Sequence, residues 1–250
     1  RLFKLPVTTP EGLYVSFPFK LPDGRLRFEV QGGVVYPGIN QLEGSSSDWN
    51  TIQNFASVAN KDAQIVFVSP EIPLVQFDNL NIGRYYYRLK PKTNHLFSWV
   101  LNNYWVTNFK ASQEGELRWN YYITSKSDPS IAFASRFGWG ARTPLPSRVM
   151  MADAQASGTT LVSKSFLPLD IANLLLVQVT PSLDNQGVIL HLRETDGNHV
   201  SLNIDEIVRQ LGAKSASEVN VLEEKLSDVS GKLWFDHFET KFLKFIFQED

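Results

Sequence analysis

Apolar and polar residues alternate with period two over most of this chain. Residues 13–19 and 25–30 both keep that beat. In the second run Leu26, Phe28 and Val30 point one way, and Arg25, Arg27 and Glu29 the other. That is the mark of a half-buried antiparallel strand. Pro22, Asp23 and Gly24 lie between the two runs, so together they read as a hairpin. Further strands are predicted over residues 55–59, 64–69, 74–77, 95–101 and 117–124, and residues 85–89 continue the series. The second half repeats the pattern at 161–166, 174–180, 188–193, 199–204, 219–223, 232–235 and 241–247. Hairpin turns fall at 184–187 and 196–198. The final run alternates Phe242, Lys244 and Ile246 with Leu243, Phe245 and Phe247, so both its faces are expected to be buried. Helical signals are few. Residues 130–137 fit a short helix or a strand, and residues 138–158 read as an irregular crossover. Asp205 is a cap for one short helix with Ile207, Val208 and Leu211 on its apolar side. Short strands between Gly/Pro turns, with at most one or two short helices, predict an all-β sandwich or barrel.

Two stretches interrupt the pattern with chemistry. Residues 100–109 close one strand and pack Tyr104, Trp105 and Phe109 among Asn102, Asn103 and Asn108. An aromatic ring can cover the apolar face of a sugar while carboxamides bond its hydroxyls. The competing reading is a core Trp whose Asn neighbours hold a turn. Residues 32–50 form a long polar loop that ends in Asp48, Trp49 and Asn50. It is either a functional loop or a solvated one anchored by its Trp.

Composition narrows the field. A hydrophobic share of 43% and a charged share of 20% describe a globular protein, and an aromatic share of 12% favours strands. The net charge of −2 gives no reason to expect a nucleic-acid partner, and no apolar run is long enough for a membrane helix. The chain has no cysteine, which removes disulfides, thiolate zinc sites and Cys nucleophiles. That is compatible with the bacterial cytoplasm or periplasm. The start at Arg1, already strand-like, reads as a domain cut from a longer polypeptide. No two of His95, His191, His199 and His237 share metal-ligand spacing, so each reads as a surface or cross-strand residue. No Walker loop, dinucleotide fingerprint or nucleophile elbow is present. Paired carboxylates are the one catalytic device left, with Glu43, Asp48, Glu71 and Asp78 as loop candidates.

One resemblance runs along nearly the whole chain. It is carried by Phe17 to Phe19, Gln41 through Asp48 to Trp49, Pro70 to Gln76 and Leu101 to Phe109. In the second half it is carried by Val188 to Glu194 with Gly197, Asn220 to Glu223 and Phe238 to Lys241. In this order they resemble the C-terminal region of family 38 glycoside hydrolases, the α-mannosidases. The resemblance implies a large β supersandwich, similar to galactose mutarotase-like domains, over residues 1–155. A small β-sandwich over residues 156–250 follows. It implies a retaining enzyme whose zinc ligands and nucleophilic Asp lie in an N-terminal catalytic domain, so no zinc or other cofactor is expected in this segment. The partners implied are that catalytic domain and an α-mannoside. Gln41, Asp48, Trp49, Asn103, Trp105 and Asn108 are the residues expected to face sugar, and no catalytic residue is assigned. Two other classes stay open: a free-standing carbohydrate-binding module, and a mutarotase-like enzyme that would pair His95 with Glu71. A segment that works beside a catalytic domain should also expose an apolar patch.

Overall fold

The computed structural model describes residues 1–103, 112–143, 145–149, 165–167 and 169–247. They fall into two compact units, Arg1–Thr143 and Pro144–Asp250. Unit 1 contains β1 (Leu2–Lys4), β2 (Glu11–Pro18), β3 (Arg25–Val30), β4 (Gly33–Val35), β5 (Asn50–Thr51) and β6 (Ala56–Ala59). It continues with β7 (Gln64–Val68), β8 (Leu74–Phe77), β9 (His95–Asn103), β10 (Gly115–Leu117), β11 (Tyr122–Lys126) and α1 (Ile131–Arg142). A five-stranded antiparallel sheet runs β11-β7-β6-β3-β4, and a four-stranded sheet runs β2-β9-β8-β5. Leu26, Phe28, Val58 and Phe67 from the first meet Val75, Phe77 and Leu96 from the second in one core. Unit 1 is therefore a β-sandwich.

The run at 13–19 and the run at 25–30 are both strands, but they are not a hairpin. β2 pairs with β9 and β3 pairs with β4 and β6, so the turn at Asp23 and Gly24 carries the chain from one sheet to the other. The amide of Gly24 closes it on the Leu21 carbonyl at 2.9 Å. Nor is β3 half-buried: Arg27 and Glu29 are as buried as Leu26 and Phe28. Helix α1 explains this. Its start overlies the outer face of the sheet, where the Arg27 guanidinium donates to Ser57 Oγ, Gln64 Oε1 and the Pro129 carbonyl. Ser130 caps the helix by accepting from the Phe133 amide at 3.2 Å. The helix then runs through Gly138 to Gly140, where an irregular segment is expected from the sequence. Gly138 lets it lie against Asn54, whose backbone oxygen is 3.1 Å from where a Cβ would be. The strand expected over 117–124 is broken, because Tyr121 turns its hydroxyl onto Ser98 Oγ and Asn120 is held by Glu71. Residues 85–89 form no strand.

Unit 2 contains β12 (Leu174–Pro181), β13 (Gly187–Glu194), β14 (Val200–Asn203), α2 (Ile204–Leu211), β15 (Ser215–Val219), β16 (Lys225–Asp228), β17 (Lys232–Phe235) and β18 (Thr240–Ile246). Its main sheet runs β12-β13-β18-β15-β16, and β14 pairs with β17 beside it. Leu190, Leu192, Leu243 and Phe245 pack on Leu202, Phe235, Ile204 and Ile207. The turn at 184–187 makes the expected hairpin. The turn at 196–198 does not, since β13 and β14 lie in different sheets. Residues 220–223 form a turn rather than a strand. Asp205 does not cap α2. Asn203 holds that position, and Asp205 accepts the Gly231 amide instead. β18 is central, but only Leu243 and Phe245 are fully buried; Phe242, Lys244 and Ile246 are half-covered. The run at 161–166 falls mostly outside the described residues.

Candidate functional site

Two loops of unit 1, residues 36–49 and 80–90, are laced together by backbone and side-chain bonds. The Gly44 amide donates to the Tyr87 carbonyl at 2.8 Å. Arg88 Nε donates to the Gly38 carbonyl at 2.8 Å, and its guanidinium pairs with Glu43 at 3.2 Å. Asp48 accepts the Gly83 amide at 3.0 Å. Gln41 accepts the Gly38 amide and donates to Asn50 Oδ1 at 2.8 Å. The polar groups of Gln41 and Asp48 thus set the shape of the loops.

That lacing displays rings. Tyr85 is 71% exposed and Tyr87 63%, and both approach Gly44. Leu42 beside them is also exposed, giving a local apolar surface. Trp49 keeps one part in solvent and sets the other edge-on to buried Trp99, with ring centroids 5.6 Å apart. Trp99 stacks on Tyr14 at 5.7 Å. The Tyr14 hydroxyl meets Gln76 Nε2, and Gln76 Oε1 accepts the Asn81 amide at 2.7 Å. A line of contacts therefore links Trp49, at the end of one loop, to the start of the other through the core. Where the first loop begins, Tyr36 and Ile39 border a cavity of about 840 Å³. Arg25, Arg27, Tyr36, Ile39, Asn60 and Lys61 are among its lining residues. Its size is in the range of small-molecule sites.

Asn103 lies elsewhere, at the end of β9. It is buried and donates to Glu11 at 3.0 Å, which also pairs with Lys4 at 2.6 Å. Trp105 and Asn108, with Tyr104 and Phe109, lie outside the described residues. The sequence reading passed over Tyr85 and Tyr87. Their signal was there: three consecutive tyrosines cannot all alternate into one core.

No protein-family model matches the chain, and no curated protein matches it. Solved structures do. An α-mannosidase from Enterococcus faecalis aligns with 94% of this chain at a TM-score of 0.60 and 15% identity. A protein in glycosyl hydrolase family 38 from the same organism aligns with 94% at 0.58 and 14%. Over that length the chain shares the fold of one part of these two structures. It spans about a quarter of those structures, 26% of each. The resemblance read from the sequence and the all-β class thus hold at the level of fold.

The four loop carboxylates are all engaged. Glu43 and Asp48 lace the loops, Asp78 accepts from Thr93, and Glu71 accepts from the Asn120 amide and side chain. Burial pushes the Glu71 carboxyl up, but the Asn120 hydrogen bonds outweigh it and hold the group below its usual range. His95 bonds Ser16 Oγ at 2.6 Å at one end of β8, while Glu71 precedes the other end, so the strand separates this pair. Among the described residues no three His, Asp or Glu side chains converge as a metal-ligand cluster would.

Proposed function

We propose that this chain is a non-catalytic β region of an α-mannosidase-type glycoside hydrolase. It supports an N-terminal catalytic domain of the same polypeptide and completes the sugar pocket. The observation that carries this reading is the fold match, in which 94% of the chain covers 26% of an α-mannosidase. The laced loop pair supplies the chemistry. Trp49, Tyr85 and Tyr87 offer ring faces to the apolar side of a pyranose, and Gln41 and Asp48 fix where those rings stand. Trp105 and Asn108 are proposed as further sugar contacts, whereas Asn103 is buried on Glu11 away from these loops.

The chain alone is expected to leave aryl α-mannosides unhydrolysed. Turnover that survives both EDTA and Asp48→Ala would overturn the assignment. A second reading, a free-standing carbohydrate-binding module, draws on the exposure of Tyr85 and Tyr87. Isothermal titration with mannose and mannobiose separates the two. Millimolar or tighter binding by the chain alone, lost in Trp49→Ala or Tyr87→Ala, favours the module. No binding by the chain, with a raised KM when the same variants sit beside their catalytic domain, favours the supporting role.

A further inference from the structure

His199 and His237 are far apart in sequence and adjacent in space. Their Nε2 atoms stand 3.3 Å apart, with ring centroids at 4.6 Å. Asp236 Oδ1 lies 2.8 Å from His199 Nδ1. We propose that this pair is a surface site for a late first-row divalent cation, zinc or nickel, bound through the two Nε2 atoms.

Three observations lead there. The first is the spacing. Two imidazole nitrogens bound at ~2.0–2.1 Å to one tetrahedral zinc sit roughly 3.4 Å from each other. The second is the tautomer. Asp236 accepts the proton of His199 Nδ1, which leaves the Nε2 lone pair of the neutral ring facing His237. A carboxylate behind a ligating imidazole is the usual outer partner of such a ligand. The third is the scaffold. Register pairs Val200 with Phe235, so His199 and Asp236 stand one residue beyond the last pair of β14 and β17. The turns on either side hang from one fully buried carboxylate, Glu194. It accepts the amides of Asp196 at 2.7 Å, Gly197 at 2.8 Å and Phe238 at 2.9 Å, and Asn173 Nδ2 at 2.9 Å. At Gly197 a Cβ would stand 3.0 Å from the Phe238 ring, so the turns are in close contact. The two imidazoles are therefore presented by segments that cannot drift apart without stripping Glu194 of its donors.

Without metal, His237 Nε2–H donates to His199 Nε2. Metal takes that place, and the exposed His237 ring moves its proton to Nδ1 through solvent. No third His, Asp or Glu joins them among the described residues, so water completes the shell and imidazole-preferring metals are selected over magnesium or calcium. The site draws on unit 2 alone and is independent of the sugar-binding reading.

The test is titration of the full chain, free of any histidine tag, with zinc chloride and separately with nickel chloride. One equivalent is expected to bind, with the imidazole ¹⁵N signals of His199 and His237 shifting together. His199→Ala and His237→Ala should each weaken binding at least about tenfold, and Asp236→Asn by about tenfold. His95→Ala and His191→Ala should leave it unchanged. His199→Gln keeps the test open if the alanine variant unfolds, and a melting curve in EDTA checks each fold. Wild-type affinity in a His199→Ala/His237→Ala double variant, or no uptake by the wild type, would overturn the site.

Discussion

At Gly38 the backbone runs with a φ of +72°, and a methyl group there would fall 1.7 Å from the carbonyl oxygen of Leu89. Both partners are main chain, so no rotamer change relieves the clash. Gly38→Ala is expected to cost about 3 kcal/mol or more and to unlace the loop pair, read by urea unfolding. His191 poses a question of charge rather than space. Burial and the neighbouring Arg193 hold its imidazole below the ordinary 6.5. Above that value the ring is neutral in both folded and unfolded chains. As pH falls through it, the unfolded chain takes up a proton that the folded chain refuses, so stability drops. His191→Gln is expected to remove that decline between pH 6.5 and the lower folded value while keeping contact with Phe242. Denaturant midpoints across the range check it.

Elements divide by how local their causes are. The runs at 25–30, 74–77 and 232–235 have the bounds of β3, β8 and β17, because alternation is written in consecutive residues. Pairing is not. Whether β2 folds back on β3 or crosses to β9 depends on residues about eighty positions away, and the Pro22 to Gly24 turn serves both outcomes equally well. Burial of Arg27 was illegible for the same reason, since α1 supplies its cover from a hundred residues on. Within α1 the two glycines should behave oppositely. Gly140 has open space around it, so Gly140→Ala should stabilise the helix by about 0.5–1 kcal/mol. Gly138→Ala should cost stability by pushing the helix from Asn54. Thermal melts of the two variants would show shifts of opposite sign. Of the site, the loop at 41–49 was legible from its composition. The turning of Gln41 and Asp48 onto backbone amides was not, because their partners Gly38 and Gly83 offer only main-chain groups that sequence does not distinguish.

Across the molecule, several carboxylates are tuned the same way. Asp184 is held well below its usual range by the Lys244 ammonium, the Ser182 hydroxyl and the Gln186 amide. Ser130 holds Asp128 down with its hydroxyl and its amide, and Arg118 and Arg1 hold Glu116 down. A carboxylate with a depressed folded pKa stabilises above its unfolded value and loses that contribution as pH falls through the folded one. The unfolded values are 3.8 for Asp and 4.5 for Glu. The chain is therefore expected to lose stability steadily below about pH 4.5, followed by urea unfolding at stepped pH. Asp184→Asn should flatten part of that slope in unit 2, and a pH profile unchanged by it would count against the assignment.

The seating of Trp49 on Trp99 has an optical consequence. Two indoles held 5.6 Å apart and inclined at 62° couple their electronic transitions, and the result is a paired positive and negative band in ultraviolet circular dichroism. One ring belongs to the core and the other to the loop, so the band reports whether that loop is seated. Anything that lifts Trp49, whether a sugar, a neighbouring domain or a broken lace at Gly38, would dim it. The state of the proposed binding edge can thus be followed without a label.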